Sequence, residues 1–189
     1  MTSVQGRKFD HKSFTINTGD LVSSRTFPSV FEKVNFAETK IVDKRNQSKV
    51  GEYGVSFATR KLSGALDLGH AFIIWYYSDP GGNRTTKRAS GFYPVDADYR
   101  LVAGVAPGDV LDDSETDIAK QLVVLVSKPA FESAVEVESE YSNGTWSLGF
   151  NDCVTFVENV ARKLPGLQLP SRVVNIYPSS YIAALWDEN

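Results

Sequence analysis

Thr145-Trp-Ser-Leu-Gly-Phe-Asn-Asp-Cys-Val-Thr-Phe-Val-Glu-Asn-Val-Ala-Arg-Lys-Leu164 holds the single cysteine of the 189-residue chain, Cys153. From Val154 onward, Val154, Phe156, Val157, Val160, Ala161 and Leu164 recur at helical spacing. Before the cysteine, Trp146, Leu148 and Phe150 alternate with Ser147 and Gly149, the pattern of a short strand. The stretch is therefore a strand, a tight Gly-Phe-Asn-Asp turn and a helix that begins at Cys153. Backbone N–H groups and the positive end of the helix dipole favour a thiolate over a thiol at that position.

Working outward, Gln121-Leu-Val-Val-Leu-Val126 is a continuous apolar run, suited to a strand buried on both faces. Ser127-Lys-Pro-Ala130 opens a helix with a serine cap and an early proline, running to about Tyr141. Ser142-Asn-Gly144 ends it. Gly69-His70 leads into Ala71–Tyr77, rich in β-branched and aromatic residues, then Ser78-Asp-Pro-Gly-Gly-Asn83. A second run over Thr85–Pro94 makes these a β-hairpin. Glu52–Thr59 alternates as a strand, and Phe14–Ile16 does so weakly. Ser29–Thr39 is readable as strand or helical turn. Val95–Thr116, with Asp96, Asp98, Asp109, Asp112 and Asp113, is expected to be a polar surface loop. Those aspartates do not follow the EF-hand spacing, and no metal is expected. Leu164–Pro170 ends the Cys153 helix, and Pro178–Trp186 forms a short closing helix capped by a serine. These elements predict an α+β chain, an antiparallel sheet packed against helices. Residues 1–60 read as an N-terminal arm packed on a core domain over 61–189.

A net charge of −3 argues against general nucleic-acid binding. Arg84, Lys87 and Arg88 read as a solvated hairpin tip. One cysteine excludes an intramolecular disulfide framework. The N-terminus lacks the apolar core of a signal peptide, and no run of about 18 apolar residues exists to span a membrane. The expectation is synthesis in the cytoplasm, with export open only to a route needing no cleaved signal.

A lone cysteine is more often a small buried hydrophobe than a nucleophile. At a helix N-terminus, with a histidine on the core sheet able to take its proton, it gains a second reading. Of the two histidines, His11 lies among charged residues and reads as exposed, whereas His70 stands at the start of the hairpin. The order Gly69-His70-Ala-Phe72, Gly91-Phe-Tyr-Pro94, then Tyr141…Asn151-Asp-Cys153-Val-Thr-Phe156-Val157, with Leu169-Pro170 and Pro178-Ser-Ser-Tyr-Ile182 closing the chain, resembles the circularly permuted papain-like, NlpC-like cysteine hydrolases over about residues 65–189.

The resemblance implies a permuted papain-like fold in which Cys153 is the nucleophile and His70 the base. It implies hydrolysis of an amide through a thioester, without a cofactor. A peptide or peptidoglycan substrate follows by analogy, as do the role of an antibacterial effector and a delivery or immunity partner. Two alternatives stand beside it. One is a lipid esterase or acyltransferase like the lecithin:retinol acyltransferase group, with Trp75, Tyr76, Tyr77 and Trp146 serving an apolar substrate. The other is a non-catalytic binding module. The chain departs from the family in two places. Asp152 directly precedes the cysteine and is expected to point outward and cap the helix, beside Asn151 as supporting residue. The residue that should orient His70 is missing from the obvious positions: a hairpin centred on Gly81 puts Phe92 opposite His70, so Tyr93 and Ser90 are the nearest polar candidates.

Overall fold

The computed structural model describes residues 21–23, 38–45, 52–60, 62, 67–78, 84–95, 104–113 and 118–189. The expectations for His11, Phe14–Ile16, residues 29–37, Asp96 and Asp98 lie outside these residues. The elements are β1 (Leu21–Ser23), β2 (Glu38–Asp43), β3 (Glu52–Arg60), β4 (Ala71–Ser78), β5 (Arg84–Pro94), β6 (Val105–Asp112), β7 (Ile118–Val126), α1 (Lys128–Tyr141), β8 (Gly144–Ser147), α2 (Cys153–Arg162) and α3 (Pro178–Glu188).

The chain is α+β. Among the described residues one mixed sheet runs in the order β2-β7-β3-β4-β5-β6-β8, with β1 paired to β5. β2 lies parallel to β7, with Glu38 opposite Lys120, while the other pairs are antiparallel. The sheet thus begins before residue 61. β3, inside the span read as an arm, sits centrally between β4 and β7.

Strand alternation sorts the side chains between two buried faces. Val55, Phe57, Ile73, Trp75, Leu122 and Val124 face one core, which they share with Phe131 and Val137 of α1, Phe156, Val157 and Val160 of α2, and Tyr181, Ile182 and Leu185 of α3. Ala58, Phe72, Ile74, Tyr76, Val123 and Leu125 form the other. Burial on both sides is what the unbroken apolar runs of β4 and β7 require. Trp75, Tyr76 and Trp146 are all core residues, so none of the three is offered to an apolar substrate.

Two expectations are corrected. Val105–Asp112 is a strand, not a surface loop: Phe92 pairs with Val110 and Ala106 with Trp146. Its Pro, Gly and Asp residues have poor strand propensity, and tertiary contacts override it. At Gly108 a side chain would meet the Phe92 ring 2.4 Å away. Asp109 is buried and accepts from the Val110 N–H (3.0 Å) and the Ser142 hydroxyl (3.1 Å), tying β6 to the end of α1. Arg88, in turn, does not belong to a solvated tip. It pairs with the buried Glu138 of α1 at 2.5 Å. A smaller difference concerns α3, whose N-cap is Tyr177 without a side-chain cap bond.

Candidate active site

The turn before α2 is built by local bonds. Gly149 adopts φ +79°, a conformation favourable only to glycine. The Asn151 amide donates to the Thr145 carbonyl at 2.5 Å, and the Ser147 and Asn151 backbones bond reciprocally at 2.9 Å. Asn151 therefore closes the turn. Asp152 caps the helix, its Oδ1 accepting from the N–H groups of Val154 (3.0 Å) and Thr155 (3.1 Å), while Oδ2 accepts from Gly149 (2.8 Å). The cap and the Phe156 N–H to Asp152 carbonyl bond leave the first-turn N–H of Cys153 outside the capping set.

Capping is as expected, but Asp152 does not point to solvent. It is buried, and Arg172 Nη2 bonds both of its carboxylate oxygens at 2.8 Å. The guanidinium offsets a negative charge that would otherwise stand uncompensated beside the cysteine. Arg172→Ala is expected to cost about 1–3 kcal/mol, measured by urea unfolding. An unchanged midpoint would mean that the three N–H donors alone satisfy the carboxylate.

His70 immediately precedes β4 and is buried. The pairing of Ile73 with Ser90 and Trp75 with Arg88, continued three residues, sets Tyr93 across from His70, one position beyond the expected Phe92. Ser90 does not reach the histidine: its hydroxyl accepts from Trp75 Nε1 (2.9 Å) and donates to Glu138 (2.6 Å) deep in the core. Tyr93 does reach it, its ring stacked on the imidazole at 4.2 Å between centroids.

The orienting group is Asp113, expected from the sequence to lie in a surface loop. It directly follows β6, its N–H bonded to the Ala89 carbonyl at 3.1 Å, and its side chain is fully buried. Asp113 Oδ2 lies 3.1 Å from His70 Nε2, and its Oδ1 accepts from the Tyr93 hydroxyl at 2.5 Å. Burial pushes the Tyr93 phenol up, and the Asp113 charge pushes it further, so it stays a donor. Gly91 is the floor of this cluster: a Cβ there would stand 2.1 Å from Asp113 Oδ2 and 2.4 Å from His70 Nε2.

Burial by itself would lower the His70 pKa. The Asp113 charge, the interaction with Cys153 and the hydrogen bond to Asp113 outweigh it and push the imidazole up to about 10. Nε2 is engaged by Asp113, which leaves Nδ1 for the sulfur. The partly exposed cysteine, the histidine and the aspartate thus form one chain of interacting groups, drawn from α2, the residue preceding β4 and the end of β6. Such a constellation can generate a nucleophile at a helix N-terminus. Among the described residues no group of three His, Cys, Asp or Glu side chains is placed to hold a metal ion, and no helix is long and apolar enough to cross a membrane. No family model, curated protein or solved structure matches this chain.

Proposed function

We propose that this chain is a cysteine hydrolase of the permuted papain-like, NlpC-like type, cleaving an amide bond through a thioester. The observation that carries the reading is His70, hydrogen-bonded to Asp113 on one side and interacting with Cys153 on the other. His70 takes the Cys153 proton, and the thiolate attacks the substrate carbonyl. The Cys153 N–H, outside the capping set, is placed at the helix N-terminus to donate to the developing oxyanion. As the C–N bond breaks, His70 returns its proton to the departing amine, leaving an acyl thioester on Cys153. Water, deprotonated by His70, then releases the acid and restores the thiol. Asp113 holds the imidazole's orientation and stabilises its charged form, and Tyr93 holds Asp113.

By analogy with the resembled family, the substrate is a peptide amide such as those of peptidoglycan, and the setting that of an antibacterial effector with a delivery or immunity partner. The test is a panel of purified muropeptides, peptide amides and phospholipids, read by mass spectrometry. The expected result is a new amine product together with an acyl adduct on Cys153. Neither product nor adduct from any member would sink the reading.

A further inference from the structure

Exposed large apolar side chains are concentrated beside this site. Leu148 and Phe150 stand on the turn leading to Cys153, and Val173, Val174, Ile176 and Tyr177 on the loop before α3; Phe150 and Val173 are each 86% exposed and Val174 74%. Arg172 ties that loop to the site, and bonds within the loop brace it. Arg172 reaches Asp152, next to the nucleophile, with one nitrogen, and with the other it holds the carbonyls of Asn175 (3.1 Å) and Ile176 (2.6 Å). The Asn175 side chain bonds back to the Ser171 carbonyl at 3.0 Å. At the loop's far end, Pro178 Cβ lies 3.8 Å from where a Cβ on Gly69 would stand, beside His70. The apolar residues therefore stand next to the Cys153–His70 pair, two on the turn before Cys153 and four on a loop braced against Asp152 and ending beside Gly69.

Two properties select the occupant. The first is charge: at neutral pH Ser147–Asn151 carries no charged side chain, and Ser171–Tyr177 carries only Arg172, which is spent on Asp152. The second is shape. Side chains more than two-thirds exposed project as knobs, whereas a small-molecule site encloses its ligand in a concave wall. Uncharged projecting aliphatic and aromatic groups, with a tyrosine among them, match the apolar-to-headgroup boundary of a bilayer, which flows around whatever enters it. We propose that this rim docks the protein onto an electrically neutral lipid surface, with the mouth of the Cys153 site turned toward that surface. The docking requires no chemistry at Cys153, so it stands or falls separately from the hydrolase reading.

The experiment is cosedimentation with phosphatidylcholine vesicles at about 1 mM lipid, a range in which a single buried acyl chain already binds. Wild type, Cys153→Ala and the triple variant Phe150→Ser/Val173→Ser/Val174→Ser are compared at low salt and in high salt. Wild type and Cys153→Ala are expected to sediment alike at both salt levels, and the triple variant's bound fraction to fall about tenfold. Phe150→Trp supplies a measurement that does not depend on the triple variant folding: its emission should shift to the blue when vesicles are added. Sedimentation lost in high salt would assign the binding to charge and overturn the proposal. So would a triple variant that sediments like wild type, or protein that ignores the vesicles while the Phe150→Trp emission stays put, which would leave the rim to a protein partner. Vesicle binding without any acyl adduct would retain the docking and remove the hydrolase; an adduct without vesicle binding would do the reverse.

Discussion

Cys153→Ala is expected to reduce turnover of the acyl donor by about four orders of magnitude or more, and His70→Ala by about three. On the proposed mechanism, the cysteine change removes the atom that would form the thioester. The histidine change leaves the sulfur in place but takes away the group proposed to accept its proton and return it to the leaving amine. Reaction with iodoacetamide separates the two roles without a known substrate. Cys153→Ala should not be labelled at all, and His70→Ala should be labelled at least about tenfold more slowly at neutral pH, since the sulfur loses the group proposed to take its proton. Cys153 is partly exposed, so access alone does not protect it. Wild-type alkylation in His70→Ala, with wild-type turnover in both folded variants, would remove the hydrolase reading and leave a binding module.

Gly91→Ala is the second large effect, and the less obvious one. Residue 91 has no side chain of its own, yet its new methyl would lie 2.1 Å from the Asp113 carboxylate and 2.4 Å from His70 Nε2, well inside any non-bonded contact. The 3.1 Å hydrogen bond between these groups must break or the strand must move. Asp113 has no exposed side-chain surface and cannot swing into water. A fall of about 100-fold or more in kcat/KM is expected from misplacement of the base, with about 1–3 kcal/mol of lost stability from overpacking. Asp113→Asn checks the same bond without adding volume. The folded His70 pKa is raised above its ordinary 6.5, to about 10. Its pairing with Asp113 therefore contributes fully below about 6.5, and that contribution is lost as the pH rises through about 10. The stability gap between wild type and Asp113→Asn should accordingly be widest near pH 6 and narrow toward pH 10. A gap that widens with pH, or Gly91→Ala with full activity, would show that the His70–Asp113 contact does not position the base.

The parts of this protein legible in its sequence are those built by neighbours in the chain. The turn and helix that present Cys153 follow from Gly149, the Asp152 cap and the 3.6-residue spacing of Val154–Leu164, all satisfied within a few residues. The β4–β5 hairpin is equally local, and its register differs from expectation by one residue, enough to set Tyr93 rather than Phe92 across from His70. Asp113 was not legible. It is placed only when β6 pairs with β5, and the Pro, Gly and Asp residues of Val105–Asp112 carry no strand signal of their own. Arg172 was hidden for the same reason, since nothing near it in sequence announces that it will neutralise a carboxylate twenty residues earlier. Local propensity and periodicity thus determined that a cysteine would sit at a helix start and a histidine just before a hairpin strand. Long-range strand pairing and burial decided which charges surround them, because a buried carboxylate is held by partners that only the folded sheet brings within reach.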